Sequence, residues 1–246
     1  MMTSSSSEPL QLVIPIKKPL SSYSLPVVLN AFLAFILFNR SQVFCTVDDL
    51  ARRVQVITMT GSSGKSTREG KMIQFLTSFQ SIMATIHSSL THFHYHVQQS
   101  KMHQPLVVMF AFGSSISMPK EIWRVTLKHM ASGQEGACWS DGDVKRMMRM
   151  LLDAYIQITL RDLGLTKCHI IIHAPRLQDT CPEGLVTMER YSIKKNVTVV
   201  DLCLWYGGAD GQVESSRDDM GVDAGHEEDS DWLYYRIKNS ISGITY

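Results

Sequence analysis

Trp232-Leu233-Tyr234-Tyr235-Arg236-Ile237-Lys238-Asn239-Ser240-Ile241-Ser242-Gly243-Ile244 is a run dominated by aromatic and β-branched residues, with only Thr245 and Tyr246 after it. Such residues favour a pleated, half-buried surface, so the run predicts a strand over 232–244. Val197 to Trp205 predicts another strand upstream. Between the two, Gly207 to Asp231 is rich in glycine and acid and almost free of aliphatic residues, which predicts a flexible acidic loop. A strand that arrives late on a long tether must dock on a sheet already made. The expectation is a closing segment that wraps around the body of the protein.

Working back from that segment, Cys168 to Ala174 reads as a buried strand stopped by Pro175, and Gln178 to Lys195 as a loop or weak hairpin. Ser140 or Asp141 is placed to cap a helix running to about Leu163. Its apolar face is supplied by Val144, Met147, Met148, Leu151, Leu152, Tyr155, Ile158 and Leu160, and Gly164 is its stop. Leu106 to Phe112 is an apolar run of strand length. Ser117-Met118-Pro119-Lys120-Glu121 predicts a short helical piece, with proline in its first turn. Ile73, Leu76, Phe79, Ile82, Met83, Ile86 and Leu90 recur at helical spacing and predict a long helix over Arg68 to Val97. Asp48 to Met59 is ambiguous. Leu25 to Gln42 is apolar nearly all round, which predicts a core helix, and Leu10 to Ile16 reads as a strand. Residues 1–9 are a Ser-rich tail expected to be disordered. Helices first and consecutive strands later predict an α+β fold, with helices on one face of a mostly antiparallel sheet, as a single domain over 10–246.

The chain has 246 residues and a formal net charge of +1, which argues against a dedicated nucleic-acid binder. Five cysteines without a C-x-x-C pair suit reduced thiols and argue against a zinc cage. Lys17-Lys18 followed by the apolar Leu25 to Phe38 imitates a signal peptide. The run is shorter than the ~20 residues of a membrane span, and no A-x-A cleavage site follows, so a buried helix is the expectation.

Three patterns invite a chemical reading. Gly61-Ser62-Ser63-Gly64-Lys65-Ser66-Thr67 approaches the phosphate-cradling G-x-x-x-x-G-K-[ST], but Met59 stands where the first glycine belongs. For an enzyme of that type, Val54 to Thr58 would be the preceding strand, Lys65 and Ser66 the working residues, and Asp201 the magnesium ligand. A Ser/Gly linker is the plainer reading. His92, His94 and His96 would share one face of a strand and could hold a metal there. On a helix only His92 and His96 align, and an exposed helix end is the expectation. Met147, Met148 and Met150 cannot all point inward from one helix, so at least one is exposed or at an interface. Methionine adapts to binding partners, which favours a protein-binding helix. No catalytic constellation, cofactor site or metal site follows from these residues.

Taken together, the ordered pieces resemble the comet family of checkpoint-silencing adaptors, from about Leu12 to Ile244. Leu12-Val13-Ile14-Pro15-Ile16 looks like the family's first strand. Leu37 to Gln42 with Val47-Asp48-Asp49-Leu50 looks like the end of its first helix and the following turn. Val107 to Gly113 and then Ser117 to Glu121 is similar to its strand and Ser-Pro-Lys-Glu step. Lys145-Arg146-Met147-Met148-Arg149 is similar to the basic-apolar stretch of its central helix, and Ile241-Ser242-Gly243-Ile244 to its Ile-Lys-Gly-Phe ending. The resemblance implies a HORMA-like fold, three helices on a sheet with a C-terminal safety belt. It implies a non-catalytic adaptor of the nucleus, cytoplasm and spindle. That adaptor would bind the closed form of the mitotic-arrest-deficient HORMA protein and present it to a hexameric AAA+ ATPase, silencing the spindle assembly checkpoint. A HORMA-like role in meiosis or DNA repair fits the same pattern.

By position, Asn39, Lys145, Arg146, Met148, Arg149 and Leu152 would form the partner-binding face. Trp232, Tyr234, Tyr235, Ile237, Ile241 and Ile244 would form the belt. The family has an aromatic residue where Met148 stands, and Gly207 to Asp231 is longer than the resemblance implies. A loop contacting the ATPase would fall within Gln178 to Lys195.

Overall fold

The computed structural model describes residues 9–21, 24–59, 67–100, 105–127, 139–177, 181–206 and 232–244. The elements in chain order are β1 (Leu10–Ile16), α1 (Ser24–Asn39), α2 (Val47–Met59), α3 (Thr67–Ser100), β2 (Leu106–Gly113) and β3 (Pro119–Leu127). There follow α4 (Asp141–Ile156), β4 (Lys167–Pro175), β5 (Leu185–Met188), β6 (Thr198–Tyr206), β7 (Trp232–Ile237) and β8 (Ile241–Ser242). The fold is mixed α+β. One eight-stranded sheet runs β1-β6-β3-β2-β4-β7-β5, with β8 also on β4. The sheet is mostly antiparallel; the exceptions are the parallel ladders of β6 with β1 and β3.

The predicted closing strand is two strands, not one. β7 lies antiparallel to β4 with Ile172 opposite Tyr235, and the chain breaks at Lys238 before β8 rejoins the same strand with Cys168 opposite Ile241. β5 pairs antiparallel with β7, placing Leu185 opposite Ile237. β7 is therefore an interior strand, although it is the last long one in the sequence. The weak hairpin expected over 178–195 is absent among the described residues, because β5 takes this distant partner instead of a neighbour.

One face of the sheet carries the helices. α3 contributes Met72, Phe75, Leu76, Phe79, Ile82, Ile86, Leu90 and Phe93, all buried at helical spacing. They meet Phe110, Phe112, Trp123, Ile170, Ile172, Leu202 and Tyr235 in one core. The other face holds a smaller cluster of Met109, Ala111, Ile122, Ile171 and Val197, with Tyr191 and Ile193 packed against it.

Several local expectations are corrected. The ambiguous stretch is helix α2, so the described residues hold four helices where three were expected. Its start is fixed by Thr46, whose hydroxyl accepts from the Asp49 amide at 3.2 Å and donates to the Asp49 carboxylate at 2.8 Å. The helical piece expected over 117–121 is a turn leading into β3. Proline is allowed at the first residue of a strand as well as of a helix, and the ladder with β2 decides for the strand. The tightness of that turn requires Gly113, where a Cβ would lie 2.7 Å from the Met118 carbonyl oxygen. Helix α4 ends at Ile156 rather than near Leu163. Gly164, in the left-handed region at φ +60°, shapes the turn into β4 instead of capping α4. Two predicted features, the tail and the acidic tether, lie outside the described residues apart from Pro9.

Candidate functional site

Helices α1 and α4 lie side by side and leave a groove of 690 Å³ between them. Ser140 starts α4 with a reciprocal cap: its hydroxyl accepts from the Asp143 amide, and the Asp143 carboxylate accepts from the Ser140 amide at 2.9 Å. The Asp143 carboxylate also accepts from Lys18 Nζ at 2.9 Å. These bonds hold its carboxyl well below the ordinary range. The far end is fixed by Tyr155. Its ring meets Phe35 edge-on at 5.6 Å and stacks on Trp123 at 6.1 Å, and its hydroxyl donates to the Asn39 carbonyl at 3.2 Å.

Apolar side chains line the groove, with Phe35 and Met148 half-buried. Val27, Phe38 and Leu152 remain 48%, 43% and 42% exposed. Lys145 and Arg149 lie one helical turn apart beside it, and Asp48 and Asp141 also line it. An exposed apolar strip rimmed by charge is the anatomy of a protein-docking surface.

Of the six residues expected on a binding face, Asn39, Lys145, Met148, Arg149 and Leu152 line this groove. Arg146 does not. It lines a separate pocket with Ile16, Lys17, Lys18, Met147 and Met150. The 100° step between adjacent helical residues accounts for the split. Of the three methionines, Met147 is buried, while Met148 and Met150 are half-buried. The amide of Asn39 is engaged within the helix, donating to the Phe35 carbonyl at 2.9 Å.

Sequence reasoning missed Val27 and Phe38. A helix apolar on every side carries no periodic signal to say which side is left open, and α1 was expected to be buried all round.

Arg40, next to Asn39 in sequence, forms a buried ion pair with Glu121. Arg40 Nε and Nη2 donate to the two carboxylate oxygens of Glu121 at 2.9 and 2.8 Å, and Trp123 Nε1 donates to Oε1 at 2.7 Å. Arg40 also donates to the Arg161 carbonyl. Burial pushes the Glu121 carboxyl up, against the opposing pull of the Trp123 and Arg40 bonds.

The residues expected in the belt fall on both faces of the sheet. Trp232, Tyr235, Ile237, Ile241 and Ile244 pack into the helix-side core, whereas Tyr234 packs on the other face against Tyr191. Tyr235 is the anchor. Its ring lies 4.8 Å from that of Phe93, and its hydroxyl donates to the Pro175 carbonyl at 2.9 Å and accepts from the Leu177 amide at 3.2 Å. Within the range 178–195, the described part supplies β5 and the packed side chains Tyr191 and Ile193.

The other patterns find no matching geometry. Val54 to Thr58, which would be the strand before a phosphate loop, belongs to helix α2. Asp201 is held by Arg124, Nε to Oδ1 and Nη2 to Oδ2, on the sheet face away from the helices. Residues 61–66, with Lys65 and Ser66, lie outside the described residues. His92 and His96 face each other with ring centroids 4.7 Å apart, as helical spacing requires. Among the described residues no cluster of three or more metal-ligating groups forms, and no helix is long and apolar enough to cross a membrane.

No protein-family model and no curated protein matches the sequence.

Proposed function

We propose that the α1/α4 groove is a protein-docking site and that the chain works as a non-catalytic, HORMA-like adaptor. Its partner is the closed form of a mitotic-arrest-deficient HORMA protein, which it presents to a hexameric AAA+ ATPase so that the spindle assembly checkpoint is silenced. The observation that carries this reading is the union of Asn39, Lys145, Met148, Arg149 and Leu152 along one groove whose apolar strip is open to solvent. These residues come from two helices more than 100 positions apart in sequence.

Affinity comes from burying Val27, Phe38, Met148 and Leu152, with Lys145 and Arg149 setting orientation at the rim. Burial of one such side chain contributes about 1.5–3 kcal/mol, so a few of them dominate. The test is Met148→Glu. A carboxylate there must be desolvated among apolar groups, and binding to the closed HORMA protein is expected to fall by 100-fold or more while the variant stays folded and melts cooperatively. Unaltered affinity in a pull-down or calorimetric titration overturns the reading.

A further inference from the structure

The end of α1, where Asn39 enters the groove, is tied to the C-terminal tip. α1 closes on a left-handed residue: the Ser41 amide donates to the Phe38 carbonyl at 3.0 Å and the Gln42 amide to the Leu37 carbonyl at 2.8 Å, with Ser41 at φ +54°. Glycine is the usual residue in that place, so serine is held there by its surroundings. Gln42 supplies them. It is 1% exposed. Its Nε2 donates to the carbonyls of Arg40 and Gly164, each at 2.8 Å, and its Oε1 accepts from the Thr166 amide at 2.8 Å. The tip then closes over this knot: the Gly243 amide donates to the Thr166 carbonyl at 3.1 Å and the Ile244 amide to the Gln42 carbonyl at 2.8 Å. A Cβ on Gly243 would lie 2.9 Å from both Gln42 Oε1 and Leu165 Cδ2, so the backbone approaches as closely as it can.

We propose that residues 241–244 are a clamp, with Gln42 as the positioning residue through which the docked tip holds the end of α1, and with it the Asn39 end of the groove, in place. The clamp stands on the hydrogen bonds above. Its effect on docking rests on the groove reading of the previous section. Release of the tip removes the Ile244 bond to the Gln42 carbonyl and the backbone packed on Gln42 Oε1, lets Ser41 leave its left-handed conformation and unwinds the turn that carries Phe38 and Asn39, while β4 loses β8 but the β2–β3 and β2–β4 ladders persist.

Hydrogen exchange on the full chain separates the two claims. Gly243→Val, which drives the tip off Gln42, and Gln42→Ala, which removes the side-chain knot but leaves the Ile244 amide its backbone acceptor at position 42, are compared with the native protein. Exchange of the amides of Arg40, Ser41, Gln42 and Thr166 is expected to accelerate at least tenfold in both variants, with β2 and the part of β4 beyond its β8 pairing at Lys167 and Cys168 unchanged. Unchanged exchange at those four amides overturns the clamp. So does an equal loss of protection across β2 and β4, because the tip would then be ordinary core. The same variants are assayed for binding to the closed HORMA protein, where a loss of about tenfold is expected. If the native chain does not bind that protein, the groove reading fails and the exchange result still decides the clamp.

Discussion

Arg40 and Glu121 show how much a single buried pair can matter at the residue scale. Both are nearly inaccessible, and every charged atom named above has a hydrogen-bond partner. Removing one partner leaves a buried, uncompensated charge, so Arg40→Ala is expected to cost about 3–5 kcal/mol. The cost depends on pH. Burial already raises the Glu121 carboxyl from its ordinary value of 4.5, and loss of Arg40 raises it further. A raised carboxyl is tolerated below its unfolded value and becomes destabilising as pH rises through the folded one. Urea melts should therefore show a small deficit for Arg40→Ala at pH 4 and the full deficit at pH 7. Equal deficits at both would show that lost packing, not the charge, dominates. Tyr235→Phe is a milder case. It keeps the ring against Phe93 but leaves the Pro175 carbonyl and the Leu177 amide without their partner, for an expected loss of about 1–3 kcal/mol in the same melts.

At the scale of elements, capping chemistry decides more than propensity. Ser140 and Thr46 each start a helix with a hydroxyl that accepts from the amide of an aspartate three residues on, and at Ser140 the aspartate carboxylate also accepts from the cap residue's own amide. Ser140→Ala is expected to cost about 1 kcal/mol and to fray the first turn of α4, which circular dichroism and chemical denaturation would register; an unchanged midpoint would mean that packing alone fixes that end. The same comparison shows what was legible in the sequence. β1, β2, β4, β6 and α3 were readable because their apolar runs or periods are long and bounded by proline or glycine. α2 was not, because Gln55, Val56, Ile57 and Thr58 suit either a strand or an exposed helix face, and the cap at Thr46 went unread. Ser117 to Glu121 failed because proline permits both a helix start and a strand start. The α1/α4 groove was half legible. Its α4 side follows from spacing along one amphipathic helix, whereas Val27 and Phe38 sit on a helix with no polar face to orient it.

For the whole molecule, the decisive fact is where the closing segment sits. β4 is paired on both sides, with β2 along one edge and with β7 and then β8 along the other. Among the described residues, β5 joins the sheet only through β7. Without residues 232–246, β4 would present an open edge of buried residues, β5 would lose its ladder, and Phe93 would lose the ring it packs against. Open apolar edges recruit other chains, so the truncated protein is expected to aggregate and to lose its cooperative melting transition. This outcome distinguishes the segment from an appendage. A truncated chain that stays monomeric and melts at the native temperature would mean that the sheet is complete without β7 and that the closing segment is a tail. A cooperative transition restored by adding residues 232–246 as a separate peptide would show that the interior position is preformed and that the segment fills it from outside. That order of events is what a strand so late in the sequence requires when its place lies inside the sheet.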